Sequence, residues 1–146
     1  MVVDDEDGFD EEAQRGFAAD EGLDAYTGLY RLVLLSYGYR CALTGARFAA
    51  PVSTLHPDLD VIAIQPRDQG GPLAIANYLP MIVSLGPVFR QGLVTIEDDF
   101  RIVVPHPELL DRGTLAALRS SLVLPEPPFR PDRAYLAHHR RFALGA

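Results

Sequence analysis

The stretch Val61-Ile62-Ala63-Ile64-Gln65-Pro66, followed by Gly71-Pro72 and Asn77-Tyr78-Leu79, decides how the chain is read. Leu59 to Gln65 alternates loosely and holds three β-branched residues, Val61, Ile62 and Ile64, which predicts a strand. Gln65 to Pro72 is dense in Gly and Pro and predicts a loop. Asn77 to Phe89 is apolar but contains Pro80 and Pro87, so any helix there must be short or carry its prolines near the start.

Working outward from this centre, Leu93-Val94-Thr95-Ile96, Glu97-Asp98-Asp99 and Phe100 to Val104 predict a β-hairpin. Before the centre, Tyr26, Leu29, Tyr30, Val33, Leu34 and Tyr37 fall at helical spacing, with Leu32 and Leu35 widening the apolar stripe. Gly38 is placed to end that helix, because glycine takes the left-handed conformation without steric cost. Tyr39 to Gly45 reads as an extended segment entering a turn. Beyond Pro105, residues 107 to 120 predict helical turns, Leu122-Val123-Leu124 a short strand, and 132 to 144 a closing helix.

Charge is divided unevenly. Residues 1 to 24 hold ten acids against Arg15 alone, a net of −9, while the remainder holds ten acids and twelve arginines, a net of +2. An acidic, glycine-interrupted leader poor in large apolar residues is expected to be a disordered tail, leaving 25–146 as one domain. All thirteen bases are arginine. The lone Cys41 excludes an internal disulfide and a cysteine-rich zinc site. No apolar run reaches the length of a membrane span, and the acidic start is unlike a signal peptide, so a cytoplasmic protein with no membrane contact is expected.

The order of these elements resembles the HNH endonuclease family, the ββα-metal domain of bacterial restriction-type proteins. The segments that carry the resemblance are Tyr37-Gly38-Tyr39-Arg40-Cys41-Ala42-Leu43-Thr44-Gly45, then Val61 to Pro66, Gly71-Pro72, Asn77-Tyr78-Leu79, Gly86 to Val94, Leu122-Val123-Leu124-Pro125 and Leu136 to Arg140. It implies an α+β fold: an HNH-like ββα-metal core with flanking helices and a closing β-hairpin. In the family one histidine is the general base and a second, on the helix, helps hold a divalent metal, often with an acidic partner. By position these fall on Ala63 and Gly86, the middle asparagine survives as Asn77, and the family's acid becomes Arg90. The catalytic set is therefore not intact. Replacement of polar positions by Ile62, Ala63, Pro80 and Pro87 is expected to make the former cleft drier.

The resemblance thus implies a degenerate endonuclease-like domain without a metal, whose remaining role is docking. One candidate ligand is double-stranded DNA, with Arg67, Arg90, Arg140 and Arg141 meeting phosphates. The other is a protein partner such as an active nuclease, which the domain would regulate. The alternative is an active, metal-dependent DNA endonuclease whose site is rescued by His56, His106, His138 or His139. Each of these is more simply a surface or packing histidine, and the neighbours His138 and His139 must point to different faces of a helix.

Overall fold

The computed structural model describes residues 25–53 and 55–145. The acidic tail expected over 1–24 lies outside the described residues. The chain divides into two compact units, Met1–Arg31 and Leu32–Ala146. A helix over residues 25–36 (α1) crosses that boundary. In its first-unit part Leu29 and Tyr30 are buried while Tyr26 is exposed. In its second-unit part Val33 and Leu34 are buried, whereas Leu32 and Leu35 are exposed and do not widen the stripe. The helix stops as the sequence requires. Gly38 sits at φ +63°, its N–H donates to Leu35 O, and the Tyr39 N–H reaches back to Leu34 O. These two bonds satisfy carbonyls that the helix end would otherwise leave open.

The second unit is a mixed α+β fold built on two small antiparallel sheets. Leu59–Ala63 (β1) pairs with Tyr78–Ile82 (β2), with Val61 opposite Pro80 and Ala63 opposite Tyr78. Of the apolar run 77 to 89, the first part is a strand with a proline inside it, and the helix that follows is short, as its prolines require. Proline cannot donate to a ladder, so it fits only where its nitrogen faces away from the paired strand. Pro80 meets that condition. Its carbonyl points away from β1 and accepts the Ala42 N–H at 2.8 Å, and the backbone nitrogen of the same residue lies on that side too. The Val123 N–H in turn donates to Ala42 O at 3.0 Å, so the turn at Ala42 bridges β2 and the segment at Val123.

After β2 a single 3-10 turn, Val83–Leu85, leads into the five-residue helix Gly86–Arg90 (α2). Pro87 stands in its first turn, where a missing N–H costs nothing. The hairpin follows as Thr95–Ile96 (β3) and Ile102–Val103 (β4), shorter than the periodicity suggests. Glu97 N–H donates to Arg101 O, and Phe100 takes a positive φ of 69° in the turn. Arg112–Ala117 (α3) is capped by Asp111, whose carboxylate accepts the Thr114 N–H at 2.7 Å. That bond holds the Asp111 carboxyl below the usual carboxylate range. Arg133–Gly145 (α4) closes the chain.

The core is drawn from all these pieces: Val33, Leu43, Leu59, Ile62, Leu79, Met81, Phe89, Ile96 and Leu136 are buried, and so is the free Cys41. Among the described residues no helix is long and apolar enough to cross a membrane.

Candidate functional site

The connection from β1 to β2 is shaped by one side chain. Asn77 is fully buried; its Oδ1 accepts the Gln65 N–H at 2.8 Å, and its Nδ2 donates to Gln65 O at 2.9 Å and Pro72 O at 3.0 Å. One amide thus closes a loop twelve residues long in sequence. Gly71 passes so close to Gln65 O that a β-carbon there would collide with it. The predicted Gly-Pro loop and the predicted Asn77 are parts of a single clamp.

Helix α4 forms the opposite wall, and its two adjacent histidines divide the work. His138 points to the loop, with its Nε2 2.8 Å from Gln69 Oε1. His139 points to α2: its ring stacks on Phe89 with centroids 4.0 Å apart and an interplanar angle of 8°. A carbonyl can only accept, so the 2.7 Å contact with Phe89 O identifies His139 Nε2 as the protonated nitrogen. Burial pushes the His139 imidazole below its ordinary range, against the opposing pull of that carbonyl. The ring is therefore neutral near pH 7, with the lone pair on Nδ1.

Between these walls lies a small, partly open recess of about 30 Å³, lined by Ala63, Ile64, Pro66, Gln69, Arg90, His139 and Phe142. Ala63 ends β1 and presents a methyl group. Gly86 opens α2, and the Nη1 of Arg90, one turn later, lies 3.5 Å from where a Gly86 β-carbon would stand. The Ile62 side chain closes the other side of that spot at 3.3 Å. Arg90 is exposed, and its guanidinium makes no hydrogen bond or ion pair among the described residues.

The divalent metal implied by the family resemblance does not fit these residues. Gly86 offers no ligand, and the nearest polar group to that position is a guanidinium, which repels a cation. Among the described residues no group of three or more His, Cys, Asp or Glu side chains comes together.

The other residues singled out by sequence fall as follows. Arg67 is exposed on the 3-10 turn Arg67–Gln69, and its charge pulls down the Tyr78 phenol, whose pKa is nevertheless raised by burial. Arg140 is turned away from the recess to the hairpin, donating to Ile96 O at 2.7 Å and to Asp98 Oδ1 at 2.8 Å. Arg141 is exposed. Of the four residues expected to dry the cleft, only Ala63 lines the recess; Ile62, Pro80 and Pro87 do not, and its other apolar lining is Ile64, Pro66 and Phe142.

His56 is buried outside the recess with both ring nitrogens in use. Nδ1 accepts the N–H groups of Asp58 and Leu59, and Nε2 donates to Ala49 O. It fixes the start of β1. His106 is exposed, 3.6 Å from Glu108. Sequence reading missed Gln69 and Phe142. The spacing of His139 and Phe142, three apart on one helix, was the available signal that both share a face.

No family model matches this chain, and no curated protein matches it. Among solved structures, its fold is similar to part of a protein described as a modification dependent TagI restriction endonuclease, with a TM-score of 0.56 and 22% identity over 81% of this chain. The match covers 38% of that protein's length. At this identity the likeness is one of fold, and the fold is that of a portion of a restriction endonuclease.

Proposed function

We propose that this is a nuclease-like domain of the HNH type in which cleavage is lost and docking on double-stranded DNA remains. The observation that carries the reading is Arg90, unpaired among the described residues, lying over Gly86 in the recess that Ala63 ends. A methyl group cannot take a proton from water, and loss of a general base alone costs about 10²–10⁴ in rate. A guanidinium supplies permanent positive charge and a planar fork that matches phosphate oxygens, without activating water as a bound metal does. Phe142, 43% exposed at the rim, adds an aromatic surface beside that charge. Arg67, Arg90 and Arg141 are then the phosphate contacts, while Arg140 acts through the hairpin it holds.

A second reading, a rescued endonuclease, draws support from one feature. His139 is the one imidazole lining the recess, and its Nδ1 carries a lone pair.

Plasmid nicking with Mg²⁺, Mn²⁺, Ni²⁺ and Zn²⁺, run beside salt-dependent duplex binding, separates the two. The expected result is no nicking, with binding that Arg90→Gln weakens. Metal-dependent nicking abolished by His139→Ala would overturn the docking reading and establish the second. Neither nicking nor binding would point to the regulatory alternative, a protein ligand for the recess.

A further inference from the structure

A second cluster of arginines lies outside the recess, at the turn that precedes the β1–β2 centre. Arg40 and Arg47 are partners in an antiparallel bridge, which places both side chains on one face. Gly45, in the turn between them, has φ +79°, a conformation that excludes ordinary side chains. Arg119 is brought to the same turn from far along the chain by its own N–H, which donates to Leu43 O at 2.9 Å.

The guanidiniums are aimed. Arg40 Nε donates to Gly45 O at 3.5 Å and Arg119 Nε donates to Ser121 O at 2.9 Å. Backbone carbonyls thus hold the Nε edges and leave the Nη groups free. Arg119 Nη1 and Arg40 Nη2 lie 3.4 Å and 3.6 Å from the point where a Gly45 β-carbon would stand. Two cations therefore flank one gap, with a third across the bridge. Among the described residues, no carboxylate lies within ion-pair distance of Arg40, Arg47 or Arg119. Like charges held side by side repel, and an oxyanion entering the gap relieves that repulsion while meeting two forks at once.

We propose that Arg40 and Arg119, supported by Arg47, form a phosphate clamp over Gly45 that grips the backbone of a bound duplex. The proposal rests on the DNA-docking reading and adds to it a second, separate point of attachment. Phosphate contacts position a duplex without reading its sequence, so the clamp sets orientation while the recess meets another part of the ligand.

The test is duplex binding by the full chain over a range of salt concentrations. Removing one arginine–phosphate interaction lowers the slope of log K against log salt by about 0.9. The double variant Arg40→Gln/Arg119→Gln is expected to lower it by about 2 and to weaken binding about ten-fold or more near 100 mM salt, equally for unrelated duplexes. Arg40→Lys/Arg119→Lys, which keeps the charges, is expected to retain most of the slope, and Arg133→Gln, an exposed arginine elsewhere, to leave it unchanged. Native binding with a slope that the double Gln variant leaves intact overturns the clamp alone. Absence of salt-sensitive binding by the native chain overturns the DNA reading and the clamp together. Arginine side-chain NMR with inorganic phosphate separates the two sources of the anion: Arg40 and Arg119 signals that respond as strongly to free phosphate as to duplex would show a small-anion site and overturn the backbone clamp.

Discussion

The two ends of β2 are built on opposite terms. At its start, Asn77 is sealed from water with three hydrogen bonds to the loop it closes. Past its end, α2 presents Gly86 with no side chain and Arg90 with no partner among the described residues. Buried polar groups are costly unless satisfied, so the first end is locked by the fold itself. The second carries a charge that water already solvates and that the fold does not need. Asn77 is thus committed to the architecture, whereas the Arg90 guanidinium, which lines the recess, carries no such commitment among the described residues.

The contrast predicts a descending series of effects. Asn77→Ala strands one buried N–H and two carbonyls, and urea unfolding should show a loss of about 3 kcal/mol or more. A loss under 1 kcal/mol would mean that the loop holds its shape without the Asn77 amide. His139 is intermediate, because it is buried yet faces the recess. Its pKa is lowered in the folded state, so the unfolded chain binds the extra proton. Its contribution is fully present above the unfolded value near pH 6.5 and is lost as pH falls through the folded value. Unfolding midpoints between pH 7.5 and 5 should fall for the native chain and fall less for His139→Gln; equal falls would remove His139 as the cause.

Gly86→Ala sets a smaller entropy loss on folding against a tight contact with Ile62 and the αR backbone that Pro87 disfavours for a residue bearing a β-carbon. A net change within about 1 kcal/mol is expected, with weaker duplex binding as Arg90 is displaced. Arg90→Gln stands at the bottom of the series. Stability should stay within about 0.5 kcal/mol of native while binding falls, and a large stability loss would erase the contrast between the two ends.

A separate probe of the core is Tyr37, whose buried hydroxyl has no hydrogen-bond partner among the described residues and whose ionisation burial strongly disfavours. Removing an unsatisfied group releases its desolvation cost, so Tyr37→Phe should leave stability unchanged or raise it by up to about 1 kcal/mol, read by urea unfolding.

Much of this contrast was legible in the residues. The strand at Val61 to Ala63, the Gly-Pro loop and a polar Asn77 at the head of an apolar run all follow from local pattern and identity. The arginines did not sort themselves. Arg90 and Arg140 read alike in the chain, but one lies in the recess and the other is committed to Ile96 O and Asp98.

By itself, then, the chain's order of apolar, glycine and proline residues determined the first helix and its end at Gly38, the β1 strand, the hairpin position and the closing helix. These depend on period and on steric limits that act within a few residues. The tertiary structure alone decided that Pro80 belongs in a strand, because only the register with β1 turns its nitrogen away from the ladder, toward the side where Ala42 meets its carbonyl. It also decided that His138 turns to the loop and His139 to α2 and the recess, through partners 69 and 50 residues away. Bonds made across such separations have no local period to announce them, since their geometry exists only once the core has brought the elements together.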